Sequence, residues 1–377
     1  MRPALECYPN TCFFVPRARS ASDTTWQTTS NSCRLMSHCP VPLLRDAHDG
    51  NQIWKLIMTN SPLINVAVLD DYQNVALKVA DWSPLENRAE ITVFNDHVAD
   101  PAQVIERLKP FDVVCVMRER TPLTREIIER LPNLKLIAST GSGNASIDTD
   151  AAAERGVKVV HTGYSSTPTI EFTWAMILAM ARHIPAENQS LREGGWQQMI
   201  GTELAGKTLG LLGLGHIGSA VGVIGRAFRM NVIAWSQNLT AERAESKGVQ
   251  LVDRDTLFSA SDFLSIHVRL SDRTRGLVGA EELARMKRTS RIVNTSRGPI
   301  VDTAALIAAL KSGQIAGAAV DVYDTEPLQL TDPFRSLPNV LATPHIGYVA
   351  HELYQTFYGD TVRNIVEWLN QPQQPHA

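Results

Sequence analysis

The sequence predicts an α/β protein of two doubly wound parallel-sheet domains. Three observations carry this. Apolar runs of strand length alternate with helical stretches in two separate series. A turn with Gly-x-Gly-x-x-Gly spacing opens the second series. The 377 residues also exceed the size at which one hydrophobic core usually stops growing.

The first series begins at Ile64. An apolar run to Leu69 is followed by a helical stretch from Tyr72, then by runs at Ile91 to Phe94 and Val104 to Leu108. Further strands are expected at Val113 to Met117, Leu134 to Ala138 and Val157 to Val160, the pattern of a parallel sheet covered on both faces. Glu171 to His183 is apolar on nearly all sides, which predicts a core helix. The second series opens with Leu209 to Leu212, the glycine turn, a helix through Phe228 and a strand at Val232 to Trp235, together one βαβ unit. Runs at Phe263 to His267, Arg291 to Val293, Ile315 to Val322 and Val340 to Ala342 add strands, and an amphipathic helix over roughly Glu352 to Leu369 closes the chain.

Composition narrows the function classes. With 44% hydrophobic and 20% charged residues and a formal net charge of -3, the chain lacks the basic surplus of a general nucleic-acid binder. Its longest apolar stretches, such as Phe172 to Ala181, fall well short of the roughly 20 residues that cross a bilayer. Four of its five cysteines, Cys7, Cys12, Cys33 and Cys39, lie in the first 40 residues, without the tight Cys-x2-Cys pairs of common structural zinc sites, so no metal is expected. Cys115 sits in an apolar run and reads as a buried thiol in a reducing compartment, most simply the cytoplasm. Residues 1 to 60 have no sustained period and are expected to be an extension outside the fold. Alternatives are a targeting peptide, given Arg2, Arg17, Arg19 and Arg34, or upstream sequence before a start at Met58.

Gly213-Leu-Gly215-His216-Ile217-Gly218 follows an apolar strand and opens a helix, the context a dinucleotide-binding Rossmann turn requires. The first glycine permits the turn, the second lets a pyrophosphate approach the backbone, the third lets helix and strand pack closely, and the helix amides face the phosphate. At the end of the next strand, where an acid reads the adenosine ribose of NAD, the chain has Ser236 and no adjacent arginine. The expectation is weak discrimination between NAD and NADP, leaning to NAD.

Beyond the fingerprint, ordered blocks run along the chain: Leu204-Ala-Gly-Lys-Thr-Leu209, Asn294-Thr-Ser-Arg-Gly-Pro-Ile-Val-Asp302, Gly317-Ala-Ala-Val-Asp-Val-Tyr323, Glu326-Pro327 and Thr343-Pro-His-Ile-Gly347. On these the sequence resembles the D-isomer-specific 2-hydroxyacid dehydrogenases over about Ile64 to Leu369. The resemblance implies a Rossmann cofactor domain, residues 168–347, inserted in a flavodoxin-like substrate domain, residues 61–167 and 348–377. It also implies hydride transfer between a nicotinamide cofactor and a small 2-hydroxy acid or 2-oxo acid.

The same resemblance assigns catalysis to Arg297, Glu326 and His345, and chemistry supports the choice. Oxidation of a 2-hydroxy acid needs a base of near-neutral pKa for the hydroxyl proton, which suits His345. A carboxylate beside it, Glu326, would orient the ring and stabilise its cation. Arg297 can pair with the substrate carboxylate and polarise the C2 oxygen. By resemblance, Asp321 holds the nicotinamide carboxamide, and His267 and Thr295 line the cofactor. Arg118 faces the cleft, and Arg120 aligns with the same segment or belongs to a solvated face. Thr140, Gly141, Ser142 and Gly143 follow a strand, so their amides could form an anion nest for the substrate carboxylate. The loop continues as Ala145-Ser146-Ile147-Asp148, a departure from the family's Asp-Asn-Ile-Asp.

Trp196, with Gly194 and Gly195, falls in a stretch that by resemblance helps form a homodimer. Two alternatives on the same fold remain open at this point: a dinucleotide-sensing corepressor-like binding module, and a formate dehydrogenase, whose family carries Gln where this chain has Glu326.

Overall fold

A computed structural model of the protein describes residues 63–371, all within one unit spanning Ser61–Ala377. The 1–60 extension and its four cysteines lie outside the described residues. Two wholly parallel sheets organise the chain. The first comprises β1 (Ile64–Val68), β2 (Ala89–Val93), β3 (Val113–Val116), β4 (Leu136–Ser139) and β5 (Lys158–His161), in the order β2-β1-β3-β4-β5. The second comprises β6 (Thr208–Leu212), β7 (Asn231–Trp235), β8 (Gln250–Leu251), β9 (Phe263–Ile266), β10 (Arg291–Asn294), β11 (Gly317–Val320) and β12 (Val340–Ala342). Their order is β12-β11-β10-β9-β6-β7-β8.

The central strands are short and apolar because helices cover both faces; every residue of β3, β4, β9 and β11 is buried. The apolar helix Thr167–Ala181 packs Trp174, Ile177 and Met180 against Leu209 and Leu211 of β6, as a core helix. The helix His351–Leu369 returns to the first sheet, burying Leu353, Phe357 and Ile365 with Val66 and Val113. The seven-stranded lobe is thus inserted in the five-stranded one. Cys115 is buried in β3, and burial pushes its thiol up to about 12. No helix among the described residues is long and apolar enough to cross a membrane.

The run Val104 to Leu108 lies in a helix, Pro101–Leu108, between β2 and β3: the Asp100 side chain accepts from the Ala102 amide and Pro101 fits the first turn. Local chemistry corrects two other expected elements. The helical stretch from Tyr72 shrinks to one turn, Ala76–Val79, because the buried Asp71 carboxylate takes the amides of Val75 and Ala76. The helix expected over Glu171 to His183 starts earlier, at Thr167, and ends at Ala181; His183 has a left-handed φ of 51°.

In each sheet the strand order reverses next to its first strand, between β1 and β3 and between β6 and β9. Loops leave such a point in opposite directions and open a crevice at the carboxyl ends of the strands. The residues singled out in the sequence follow β3, β4, β6, β7, β9, β10, β11 and β12, at these ends.

Candidate active site

The glycine turn connects β6 to the helix His216–Ala227. Gly213 has φ 101°, a left-handed conformation, and a Cβ there would stand 2.9 Å from the His267 carbonyl. At Gly218 a Cβ would lie 2.2 Å from the Gly213 oxygen, so helix and turn meet only because it is absent. Gly215 differs: a Cβ there would meet nothing within 4 Å, so this backbone faces open space. Beside it, His216, Ile217 and Gly218 occupy the first turn, where amides lack intrahelical acceptors. An open backbone and outward amides fit a bound pyrophosphate.

His267 lies across the switch point, its Nε2 2.9 Å from Ser265 Oγ, and burial lowers its pKa to about 4, so the ring is neutral. Ser236 follows β7 in a hollow of about 630 Å³ that it shares with Trp235, Leu251 and Asp253. Asp253 was not among the expected residues. Its carboxylate accepts from the amide and the hydroxyl of Thr256, which hold it below the usual range. The signal available in the sequence was the helix-capping pattern Asp253-Arg-Asp-Thr256.

The catalytic candidates converge at the ends of β10, β11 and β12. His345 Nδ1 lies 2.7 Å from Glu326 Oε2, while Glu326 Oε1 accepts from the Tyr323 amide at 3.0 Å. Burial raises the Glu326 carboxyl, but the His345 contact, the Tyr323 amide and the charge of Arg297 outweigh it and hold the carboxyl below its ordinary value. Asn294 braces the Arg297 turn: its Nδ2 donates to the Arg297 carbonyl and its Oδ1 accepts from the Ser296 amide. Gly298 explains how this turn reaches Glu326, since a Cβ there would fall 2.2 Å from the Tyr323 carbonyl carbon. Thr295, buried, pairs its hydroxyl with that of Thr173 at 2.9 Å.

Asp321 anchors the His345 loop. Its Oδ1 accepts from the Thr343 hydroxyl and the Ile346 amide, and its Oδ2 from the Gly347 amide. Burial nevertheless raises its carboxyl above the usual range. Tyr323 ties the same region together, donating its hydroxyl to Thr343 O at 2.8 Å.

The five-stranded lobe faces this trio across a cavity of about 1230 Å³ lined from both lobes. Arg297 Nη2 donates to Glu119 Oε1 at 2.9 Å, and Arg118 Nη2 lies 3.6 Å from the same oxygen. Arg118 rests on the substrate loop: a Cβ on Gly141 would collide with its guanidinium. Glu119 is a site residue that sequence reasoning missed, because it is legible only as the middle of Arg118-Glu-Arg120. Burial pushes its carboxyl up, and Arg297 and Arg118 more than offset this, so it stays ionised.

The expected anion nest is narrower than its sequence suggests. The Thr140 amide already donates to Val116 O, and the Gly141 amide to Thr162 Oγ1, so neither is available to a ligand. Both follow directly from β4, whose hydrogen-bonding extends into the loop. Ser142 and Gly143 are exposed, and among the described residues no acceptor lies against their amides. Nor is Arg120 on a solvated face. Its guanidinium stacks over Tyr72 at 4.4 Å and Tyr348 at 5.7 Å and donates to Asp70 O.

The family model for the D-isomer specific 2-hydroxyacid dehydrogenase NAD-binding domain matches residues 174–347. A hydroxypyruvate reductase of Thermotoga maritima is 42% identical over 270 residues, covering 70% of this chain and 86% of that protein. A D-3-phosphoglycerate dehydrogenase of Methanocaldococcus jannaschii is 37% identical over 328 residues, covering 83% of this chain and 61% of its own length. The chain spans 61%, 56% and 48% of the length of three such phosphoglycerate dehydrogenases. Among solved structures, a phosphoglycerate oxidoreductase from Vibrio cholerae superposes with a TM-score of 0.77 at 39% identity, covering 81% of this chain and 99% of that one.

Proposed function

Because the chain belongs to the D-isomer specific 2-hydroxyacid dehydrogenase family, we propose that it interconverts a small D-2-hydroxy acid and its 2-oxo acid, using a nicotinamide dinucleotide. The observation that carries this reading is the His345–Glu326 pair set beside Arg297 in one cleft. The bound nicotinamide supplies or accepts the hydride at C2. Gly213, Gly215, His216, Ile217 and Gly218 would hold its pyrophosphate, Ser236 its ribose, and His267, Thr295 and Asp321 the end nearest the reacting carbon.

This chain's residues do the rest. Glu326 accepts a hydrogen bond from the Nδ1–H of His345 and leaves Nε2 for the substrate. In reduction Nε2 gives its proton to the C2 oxygen, and in oxidation it takes the hydroxyl proton. Glu326, kept ionised, stabilises the imidazolium in both directions. Arg297 polarises the C2 oxygen, while Arg118 and the free amides of Ser142 and Gly143 hold the carboxylate. Segments near Pro168 and Tyr348 join the two lobes and would serve as hinges that close the cleft and exclude water.

NAD is the favoured cofactor. The hollow at Ser236 contains the Asp253 carboxylate and no cation among its lining residues, so a 2′-phosphate would find repulsion without a partner. A homodimer is proposed from the apolar surface beyond the helix Ile184–Arg192, where Trp196 is 72% and Ile200 95% exposed; light scattering would return twice the chain mass. The buried free thiol Cys115 suits the cytoplasm. The function itself is tested by assaying pyruvate, glyoxylate and hydroxypyruvate reduction with NADH and NADPH. Turnover, higher with NADH, is expected. Cofactor binding with no turnover across the panel would instead support a dinucleotide-sensing binding module.

A further inference from the structure

We propose that Glu119 restricts this cleft to 2-oxo acids with a single negative charge, excluding phosphorylated and dicarboxylic ones. The inference rests on the dehydrogenase reading and specifies its substrate class. Glu119 stands between the two cations that face the reacting centre, 2.9 Å from Arg297 and 3.6 Å from Arg118. Two guanidinium charges minus one carboxylate leave a surplus of one, which a single substrate carboxylate neutralises.

A second anionic group finds no further partner. No lysine is among the residues lining the cavity. Its other arginines are committed elsewhere: Arg120 donates to Asp70 O and Tyr354 Oη between two tyrosine rings, and Arg335 to the carbonyls of Gln329 and Leu328. The other carboxylates on the wall, Asp324 and Glu326, add negative charge, and the histidines that line it, His97 and His345, are paired with Asp70 and Glu326. A phosphate at C3 would therefore lie among three carboxylates with its counter-cations already paired or turned away. Like charges brought together in a part-buried site are rejected more strongly than in water. This sets the chain apart from those relatives named for a phosphorylated substrate.

The test compares kcat/KM for hydroxypyruvate, 3-phosphohydroxypyruvate and oxaloacetate in the wild type, Glu119→Gln and Glu119→Asp. The wild type should prefer hydroxypyruvate over either multiply charged acid by about a hundredfold or more. Glu119→Gln, which keeps an acceptor for Arg297 but removes the charge, should narrow that ratio at least about tenfold by raising kcat/KM for the multiply charged substrates. Glu119→Asp should preserve the preference, an outcome that a merely structural role for Glu119 does not predict. A wild-type ratio near one overturns the proposal without need of any variant, and so does a ratio unchanged in folded Glu119→Gln. Absence of turnover with every 2-oxo acid overturns the dehydrogenase reading as well. Turnover with the phosphorylated acid preferred overturns only the role of Glu119.

Discussion

At the carboxyl edge of the seven-stranded sheet the catalytic candidates are braced by groups near in sequence, whereas the facing edge of the five-stranded sheet depends on distant ones. Asn294 holds Arg297 and the Tyr323 amide holds Glu326, each across 3 residues, and Glu326 meets His345 across 19. On the other side Arg118 leans on Thr140 across 22 residues, Glu119 reaches Arg297 across 178 and Arg120 reaches Tyr354 across 234. One edge carries the preformed His345–Glu326 pair, and the other takes its charge balance from the way the lobes meet. Chemistry and specificity should therefore respond separately to substitution.

The largest effect belongs to the first edge. His345→Ala removes the proposed proton donor and should lower kcat by on the order of 10²–10⁴, the usual worth of general acid–base catalysis, with cofactor affinity unchanged by fluorescence titration. Near wild-type turnover would remove His345 from the mechanism.

A smaller and more diagnostic effect is expected of Glu326→Gln. Reduction needs the proton that Nε2 carries and oxidation needs Nε2 free, and in the variant the imidazolium loses its charged partner, so kcat should fall about tenfold in each direction. The folded Glu326 carboxyl lies below its ordinary value, so the stabilisation it contributes is fully present above the usual carboxylate range and is lost as pH falls through the depressed value. Stability that falls equally with acid in wild type and variant would show that the pair contributes none of it, and an unchanged kcat would separate it from the proton transfer.

The second edge is probed by Arg118→Gln, which removes the charge-assisted contact proposed for the substrate carboxylate. It should raise KM by about tenfold, in keeping with hydrogen bonds to charged groups, and change kcat much less. A loss confined to kcat would place Arg118 with the proton-transfer pair.

The same contrast explains what was legible in the sequence. Strand runs showed because parallel strands are apolar on both faces, and the trio showed because its residues sit in short ordered blocks. The one-turn helix Ala76–Val79 did not, since Asp71 capping decides where it bends and no period develops in four residues. Glu119 carries its meaning only through Arg297, which no local pattern connects to it. The nest at Thr140 to Gly143 was read too broadly for a related reason: Thr162 takes the Gly141 amide from beyond β5. Ser236 was legible as a missing acid, but the carboxylate beside it, Asp253, comes from the segment after β8.

In the proposed reaction hydride passes between a nicotinamide and C2 of a 2-oxo acid, and His345 supplies the proton. Reduction of hydroxypyruvate with NADH deuterated at C4 on the transferred face tests it most directly, read by mass spectrometry and chiral chromatography of the product. The expected product is D-glycerate carrying one deuterium at C2. Unlabelled product, or the L isomer, would contradict it.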